Sequence, residues 1–377
     1  MTGDAAARGI RDRDPDGLIG LVGAEPEPPY ARPPLSKGLW QGKGEETIWR
    51  GTAELGVDLH LGRRIVDLDL DARTAVDDQG ERYSYEKLLL ATGGRPRRVE
   101  AWGDGVVYYR TVADYRQVRA AVHDGARFVV IGGGFIGSEI AAALSWSGAK
   151  VTIVFPESGI GARLFPPDLA DFVTGYYREK GVEVFPGEVV ESIEGGIVRL
   201  GGGRTLEADG IVAGLGIEPS VELAEAAGLP VENGIVVDDR GRVDGRDDVF
   251  AAGDVANFPA EALGTTMRVE HEDHANTHGR IVGANMAGAD TPYDHLPFFY
   301  SDLFELGYEA VGEVDSRLET IADWAEPNRK GVVGYVDEGG RPRGFLLWDV
   351  WGKVDAARAL IEAGDPIESG QLAELLS

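Results

Sequence analysis

The sequence predicts a mixed α/β protein in which units built on parallel sheets are followed by a smaller α+β module. Strand-like and helix-like segments alternate through the first two thirds of the chain, apolar strands end in small residues, and the pattern changes near residue 291. One hydrophobic core rarely grows past about 250–300 residues. A chain of 377 residues is therefore expected to form two or three domains.

The central block alternates regularly between strand and helix. Residues 128–131 are a short apolar run that ends in three glycines, and residues 135–146 follow with helical spacing. Residues 150–155 then predict a second strand, 168–180 a second helix and 182–185 a third strand. This order is typical of parallel α/β units.

The flanking segments have two other patterns. Apolar runs at 88–90 and 248–251 end in small residues, as strands of a parallel sheet do at a ligand edge. Residues 331–336 and 344–350 alternate around a glycine- and proline-containing turn, which predicts a hairpin. A helix at 353–363 closes this C-terminal module.

The composition excludes several classes of function. The chain has no cysteine, so it cannot form a disulfide, a thiolate metal site or a thiol nucleophile. Its net charge of −27 disfavours nucleic acid as a partner.

The sequence has no apolar run of the ~20 residues that a membrane span needs and no apolar core of a signal peptide, so a cytoplasmic location is expected. The acidity is typical of a halophile's surface, and an acidic drift in a GC-rich genome is the alternative.

A glycine-rich turn is the strongest local signal. Gly132, Gly134 and Gly137 follow one predicted strand and open a helix, which is the arrangement that lets a backbone approach a pyrophosphate. Glu157 lies 20 positions after Gly137, where a carboxylate accepts hydrogen bonds from a ribose 2′-hydroxyl. Such a carboxylate repels a 2′-phosphate, so NADH is favoured over NADPH. The alternative is a turn without a ligand.

The N-terminal segment indicates a second nucleotide site that lacks the first part of its motif. Residues 17–23 resemble the second strand of a dinucleotide fold, Glu25 its ribose acid and Gly3 the third fingerprint glycine. The first strand and the first two glycines are not in the chain, which predicts that translation starts about 10 residues upstream. The alternative is that Gly3 is an ordinary glycine at a helix start.

Taken together, the motifs resemble a known family. They are PYARPPLSK at 29–37, ATGG at 91–94, GGGFIGSE at 132–139, GIEP at 216–219, AGD at 252–254 and VEHEDHA at 269–275. The set resembles the flavoprotein reductases with two dinucleotide-binding folds, in the branch of the ferredoxin reductases and apoptosis-inducing factor. FFYSD at 298–302, GYEAVG at 307–312, KGVV at 330–333 and LWDVW at 347–351 are most similar to the apoptosis-inducing-factor branch.

The resemblance implies a fold with two Rossmann-like domains and a C-terminal interface domain. Residues 1–112 and 236–290 would form an FAD domain, and an NADH domain at 113–235 would be inserted in it. Residues 291–377 would form the α+β interface domain, and a homodimer is one assembly that it would serve.

The resemblance also implies the residues of both cofactor sites. Residues expected at FAD are Gly3, Glu25, Arg32, Ala91, Thr92, Gly93, Gly253, Asp254, Glu270 and His271. Residues expected at NADH are Gly132, Gly134, Phe135, Gly137, Glu157 and Gly216. Asp254 would bind the ribityl chain, and the helix that opens near His271 would face the pyrimidine edge of the flavin.

Several side chains have both a functional and a structural interpretation. Lys37 and Glu139 resemble the family's ion pair beside the reactive flavin nitrogen, and the alternative is a surface lysine with a first-turn glutamate. Phe135 and His271 are candidates for stacking on NADH. His271 with His274 also allows a metal site without a visible third ligand. Trp348 is either a core residue or an aromatic lid on the flavin.

The implied activity is hydride transfer from NADH to FAD, with electrons passed to a ferredoxin-like protein, a quinone or another acceptor. Because the chain has no cysteine, reduction of a disulfide substrate is excluded. The main alternative is an NADH-sensing flavoprotein with slow turnover, whose reduced complex controls dimerisation or partner binding. A truncated form that binds NADH without flavin is a third.

Overall fold

A computed structural model describes residues 1–377, with the side chains of all of them but Ser369. The chain forms two compact units, each assembled from three segments. Unit 1 comprises Met1–Arg32, Glu45–Arg95 and Glu218–Pro297, and unit 2 comprises Pro33–Gly44, Pro96–Ile217 and Phe298–Ser377. The predicted boundaries of the three domains stay a prediction.

The helices are α1 (Thr2–Arg11), α2 (Val112–Ala121), α3 (Phe135–Trp146), α4 (Pro167–Glu179), α5 (Glu222–Ala226), α6 (Glu272–Met286), α7 (Val354–Ala363) and α8 (Ser369–Leu376). The first strands are β1 (Gly20–Gly23), β2 (Asp58–Leu61), β3 (Ile65–Asp69), β4 (Thr74–Asp77), β5 (Arg82–Ser84), β6 (Leu88–Leu90), β7 (Gly94–Pro96) and β8 (Val107–Tyr108). The central strands are β9 (Arg127–Ile131), β10 (Lys150–Phe155), β11 (Glu183–Pro186), β12 (Val190–Glu194), β13 (Ile197–Leu200), β14 (Thr205–Glu207), β15 (Gly210–Ala213) and β16 (Ile217–Pro219). The last strands are β17 (Ile235–Val236), β18 (Val249–Ala251), β19 (Ala256–Ala260), β20 (Thr265–Met267), β21 (Phe298–Leu303), β22 (Leu306–Gly312), β23 (Glu319–Glu326), β24 (Lys330–Val336) and β25 (Pro342–Trp348).

Unit 2 contains a five-stranded parallel sheet in the order β11-β10-β9-β15-β8. Its central strands are apolar runs because a parallel sheet is covered on both faces. Phe128, Val130 and Ile153 are accordingly buried. The predicted helix at 135–146 and strand at 150–155 are confirmed as α3 and β10, and the other predicted elements of this block agree to within one or two residues.

The C-terminal part of unit 2 is an antiparallel sheet in the order β21-β22-β25-β24-β23. The predicted hairpin is confirmed as β24 and β25, with Val333 opposite Leu346. Helix α7 packs against β22 and β25, and α8 against β23 and β24. Nearly every residue of β24 and β25 is buried, so this part of the sheet is covered on both faces.

Unit 1 is organised by the packing of α1 against α6. The two helices approach so closely that a Cβ on Gly9 would lie 2.0 Å from the Arg280 carbonyl oxygen, and one on Gly283 2.1 Å from that of Ala6. Two parallel strand pairs, β1 with β2 and β6 with β18, accompany them. Within the described chain, no helix has the length and apolar character to cross a bilayer.

Candidate functional site

The turn after β9 needs glycine at two of its three fingerprint positions, Gly132 and Gly137. Gly132 has φ +113°, and a Cβ on it would lie 2.3 Å from the carbonyl oxygen of Gly214. A Cβ on Gly137 would lie 1.8 Å from the carbonyl oxygen of Gly132, whereas one on Gly134 would meet no atom within 4 Å. The first and third glycines therefore allow close backbone packing, and Gly134 faces open space where a ligand can approach.

The groups that would hold a pyridine nucleotide lie at the ends of β9 and β10. The N-cap of α3 is Gly134, which has no side chain to cap the helix, and a helix start of this kind is suited to binding an anion. Glu157, two residues after β10, is partly exposed and pairs with Arg163 at 2.6 Å. Gly216 has φ +79° and precedes β16. The turn, the helix start and the carboxylate fit the pyrophosphate and ribose of NAD(H).

A buried ion pair lies in the same unit. The Lys37 ammonium donates to the Glu139 carboxylate, and their side chains are 12% and 5% exposed. Ser301 Oγ donates to Oε1 of Glu139 at 2.6 Å, and Ser36 Oγ donates to Oε2. We call Ser36, Lys37, Glu139 and Ser301 the Glu139 cluster. Its three donors keep a buried carboxylate satisfied, since such a group is costly to bury unpaired.

The surroundings of Lys37 add an aromatic ring and a second acid. The Lys37 ammonium lies 5.3 Å from the ring centroid of Tyr300, within cation–π range. Burial raises the pKa of Asp302, Lys37 partly opposes the rise, and Glu139 adds to it. Lys37 therefore lies close to two carboxyl groups, that of Glu139 inside the cluster and that of Asp302 beside it.

Two predicted aromatic residues of unit 2 differ in their surroundings. Phe135 begins α3 and packs edge-on against Phe299, with ring centroids 5.2 Å apart. Trp348 is fully buried, contacts Phe165 and Tyr308, and donates from its indole N–H to the Asn328 carbonyl at 3.0 Å. This burial favours the core alternative for Trp348.

In unit 1, Glu25 and Arg32 form one group after β1. Arg32 Nη2 donates to Glu25 Oε1 at 2.6 Å, and the Tyr30 hydroxyl donates to Oε2. Burial alone would raise the pKa of Glu25, but Arg32 and Tyr30 outweigh it and hold the pKa below its usual value. Glu25 is thus kept ionised, the form in which both of its carboxylate oxygens only accept hydrogen bonds.

The turn at the end of β18 is equally constrained. Gly253 has φ +74°, and a Cβ on it would lie 2.2 Å from Thr2 Oγ1. The carbonyl of Asp254, the next residue, accepts from Arg268 Nη1 at 3.1 Å. Gly3 lies in α1, where a Cβ would come 3.2 Å from Leu21.

The other predicted FAD residues also lie at element ends in unit 1. Ala91, Thr92 and Gly93 follow β6, with Thr92 Oγ1 donating to the Ser220 carbonyl at 2.8 Å. Glu270 pairs with Arg268 at 2.8 Å. His271 is the N-cap of α6, and burial lowers its pKa to about 4. The structure thus collects ten predicted residues in unit 1. Glycines and polar groups at strand and helix ends fit an extended dinucleotide.

The metal alternative finds no support among the described side chains. No group of three or more His, Asp or Glu residues with described side chains is arranged to hold a metal ion. His274 is instead fully buried, with Nδ1 2.8 Å from the Tyr293 hydroxyl.

Comparison with known proteins assigns this arrangement to a family. Residues 1–279 match the family described as pyridine nucleotide-disulphide oxidoreductase, and residues 282–332 match the C-terminal domain of mitochondrion-associated apoptosis-inducing factor. The chain belongs to the pyridine nucleotide-disulphide oxidoreductase family. Unlike the disulphide-reducing enzymes that give the family its name, this member has no cysteine.

Relatives of this family member match it over nearly its whole length. Apoptosis-inducing factor 1 of Dictyostelium discoideum is 34% identical, over 93% of this chain and 75% of its own. The ferredoxin–NAD(+) reductase component of the Burkholderia cepacia anthranilate 1,2-dioxygenase system is 35% identical, over 98% and 93%.

Solved structures agree with these relatives. Putidaredoxin reductase in its covalent complex with putidaredoxin has a TM-score of 0.91 at 28% identity, over 100% of this chain and 93% of that one. Ferredoxin reductase for the CYP199A2 system from Rhodopseudomonas palustris has a TM-score of 0.88 at 29% identity, over 99% and 95%. The predicted family branch, α/β fold with two Rossmann-like domains, NADH oxidoreductase activity, and FAD and NAD(H) cofactors are confirmed.

Sequence reasoning missed several members of the Glu139 cluster and its surroundings. Ser36 and Ser301 are 265 positions apart and meet only because both contact Glu139. Tyr300 and Ser301 belong to the FFYSD motif, which carried the resemblance without an assigned role. Arg163 has no signal in the sequence that links it to Glu157.

Proposed function

We propose that this protein transfers a hydride from NADH to FAD and passes the electrons to a ferredoxin-like protein. The observation that carries the proposal is the Glu139 cluster, in which a buried ammonium is held by a carboxylate with two further hydroxyl donors. A fixed positive charge of this kind stabilises negative charge that develops on a reacting group.

The NADH part of the proposal is supported by the glycine turn and Glu157. The N–H groups at the start of α3 would bind the pyrophosphate, and Glu157 would accept from the ribose hydroxyls. Gly216 and Phe135 would line the rest of the nucleotide. A carboxylate at this place also disfavours the 2′-phosphate of NADPH.

The FAD part is supported by the residues of unit 1. Glu25 and Arg32 would bind the adenosine end of FAD. Residues 91–93 and Gly3 would allow the backbone to approach the cofactor. Asp254 would accept from the ribityl hydroxyls, and Glu270 and His271 would lie at the pyrimidine edge. When bound, the flavin accepts a hydride from nicotinamide and releases its electrons to an acceptor. We assign residues 1–112 with 236–290 to the FAD domain and 113–235 to the NADH domain.

Within this assignment, Lys37 and Glu139 have distinct tasks. Glu139 orients the Lys37 ammonium, and removing either partner leaves a buried charge without its counterion. Lys37 would place its positive charge beside the reactive part of the flavin. Glu139 would also meet the nicotinamide amide.

The acceptor is proposed from the relatives. A ferredoxin–NAD(+) reductase component and a reductase captured with putidaredoxin are both similar to this chain along its length. The net charge of −27 disfavours a strongly acidic ferredoxin unless a local basic surface receives it. Residues 95–98 form a short basic segment with three arginines. Its Arg95 is paired with Glu218 and Glu222, which leaves less positive charge for docking. A quinone is the alternative acceptor.

A second candidate function rests on the C-terminal match. Residues 282–332 match the apoptosis-inducing-factor C-terminal domain, which favours an NADH-sensing flavoprotein whose reduced complex changes dimerisation. A homodimer through residues 291–377 and a cytoplasmic location are parts of this proposal.

Steady-state turnover with a panel of acceptors separates the two candidates. NADH oxidation is measured with ferredoxins of different charge, a soluble quinone and ferricyanide, and oligomeric state is measured with and without NADH. Fast ferredoxin reduction supports the reductase. Negligible turnover with every natural acceptor, together with NADH-dependent dimerisation, supports the sensor and contradicts the first proposal.

A further inference from the structure

The turn that carries Asp254 presents a backbone amide beyond the end of the strand ladder. β18 pairs with β6 up to Ala251, and the Ala252 N–H still donates to the Leu90 carbonyl at 3.2 Å. The next amide, that of Gly253, donates instead to Nδ1 of His278 at 3.3 Å. A buried imidazole therefore replaces the strand partner where the sheet ends.

This hydrogen bond holds the turn together with two others, because the Gly253 carbonyl accepts from the Ala256 N–H and the Asp254 carbonyl accepts from Arg268 Nη1. Gly253 has no side chain, and its positive φ and its contact with Thr2 leave no room for one. A buried amide without an acceptor would cost about 1–3 kcal/mol. The imidazole thus fixes the peptide directly before Asp254.

The orientation of the His278 ring is set by its neighbours. His278 is fully buried on α6, stacks on Tyr293 with centroids 4.4 Å apart, and lies 4.8 Å from the ring of His274. The Tyr293 hydroxyl in turn pairs with His274 Nδ1. Because Nδ1 of His278 accepts from an amide, the ring proton of its neutral form lies on Nε2.

We propose that His278 is a positioning residue of the FAD site, which holds the Ala252–Asp254 turn through the Gly253 N–H and so places the Asp254 carboxylate for the ribityl hydroxyls. The inference rests on the proposed function, which puts Asp254 at FAD. His278 acts through Gly253 and needs no contact with the cofactor.

Three variants separate positioning from packing. His278→Asn offers an amide oxygen close to the place of Nδ1, whereas His278→Leu fills the space without an acceptor. Tyr293→Phe is the matched control, because it removes a hydroxyl from the same aromatic cluster and leaves the Gly253 hydrogen bond intact.

FAD affinity and the midpoint potential of the bound flavin are measured for the parent and the variants. We expect His278→Leu to weaken FAD binding about tenfold and to shift the potential, while His278→Asn and Tyr293→Phe stay close to the parent. Unchanged FAD binding in His278→Leu, or an equal loss in His278→Asn, would overturn the inference.

Hydrogen exchange of the Gly253 amide in the FAD-free protein tests the same inference without the cofactor. The amide is expected to exchange about tenfold faster in His278→Leu and at the parental rate in the other two variants. Equal protection in His278→Leu would overturn the inference. If the parent protein bound no FAD, the proposed function would fail, and the exchange rates would still decide the role of His278.

Discussion

The Lys37 ammonium binds the Glu139 carboxylate inside unit 2, and both side chains are nearly inaccessible to solvent. Ser36 and Ser301 donate to the same carboxylate. The members of this cluster come from the loop with Ser36 and Lys37, from helix α3 and from strand β21. The position of the Lys37 cation is therefore determined by the fold of the whole unit. We infer that this fixed charge is the main contribution of the protein to flavin reduction.

Replacing Lys37 should slow hydride transfer. In Lys37→Ala the rate of flavin reduction by NADH should fall about 100-fold, because the positive charge that stabilises the reduced ring is lost. Anaerobic stopped-flow absorption measures this rate directly. Lys43→Ala, which removes an exposed lysine of the same segment, should react at the parental rate.

A double variant separates chemistry from folding. Lys37→Ala leaves the buried Glu139 carboxylate without its cation, which destabilises the fold by about 3–5 kcal/mol. Adding Glu139→Gln removes the unpaired charge and should restore much of the stability while reduction stays slow. A double variant that is stable and as fast as the parent would exclude Lys37 from the mechanism.

Removing one hydroxyl from the Glu139 cluster should have a smaller effect. Ser301→Ala takes one donor from a buried carboxylate, so the free energy of unfolding should fall by about 1–3 kcal/mol. Urea denaturation measures this change. Ser158→Ala, at an exposed serine, serves as the control, and an equal effect at both positions would contradict the account of Glu139.

Glu157 should determine the choice of nucleotide. In Glu157→Gln the carboxylate no longer repels a 2′-phosphate, and Arg163 loses its partner and can attract the phosphate. The ratio of kcat/KM for NADH to that for NADPH should fall about tenfold. The control is Glu191→Gln, at an exposed glutamate of β12. An unchanged ratio in Glu157→Gln would place the ribose elsewhere.

The buried histidines should make the fold sensitive to acid. Burial lowers the pKa of His274 to about 4, whereas the unfolded chain titrates near 6.5. Below pH 6.5 the unfolded state therefore takes up a proton that the folded state does not, and stability falls until about pH 4. At pH 5 this loss is about 2 kcal/mol for His274 alone.

Comparing two histidine variants isolates this effect from the titration of the many carboxylates. Urea denaturation of His274→Gln at pH 7, 6 and 5 should show a shallower decrease in stability than the parent. His123→Gln, at an exposed histidine, should show the parental decrease. A parental slope in His274→Gln would mean that His274 is protonated in the fold.

Thiol reagents should have no effect on this protein. The chain contains no cysteine, so electrons leave the flavin without a redox-active disulfide. Treatment with N-ethylmaleimide should leave the rate of NADH-dependent acceptor reduction unchanged. Inhibition would indicate that a thiol from another protein takes part.

Local patterns predicted the helices and strands of the central block and the C-terminal hairpin because their causes are local. The glycine turn at Gly132 and the boundaries of α3 depend on neighbouring residues, so the sequence indicates both. The assignment of Glu157 followed from a fixed spacing of the same kind. These elements were found at or near the predicted residues.

Residue spacing could not predict contacts between distant segments, and the Lys37–Glu139 pair was expected only from the family resemblance. Ser301 reaches Glu139 across 162 positions, and the Gly253 amide meets His278 only because α6 packs beside the turn. The burial of Trp348 also depends on Phe165, which lies far away in the sequence. Such contacts follow from how whole helices and strands pack, and spacing rules carry no information on that packing.

Mixing the FAD-loaded protein with NADH under anaerobic conditions and following visible absorption shows whether a hydride reaches the flavin and how fast. The proposed hydride transfer from NADH to FAD beside Lys37 requires that the flavin bands bleach rapidly in the parent protein and about 100 times more slowly in Lys37→Ala. Flavin bands that persist with excess NADH in the parent protein, or equal rates in the two proteins, would contradict it.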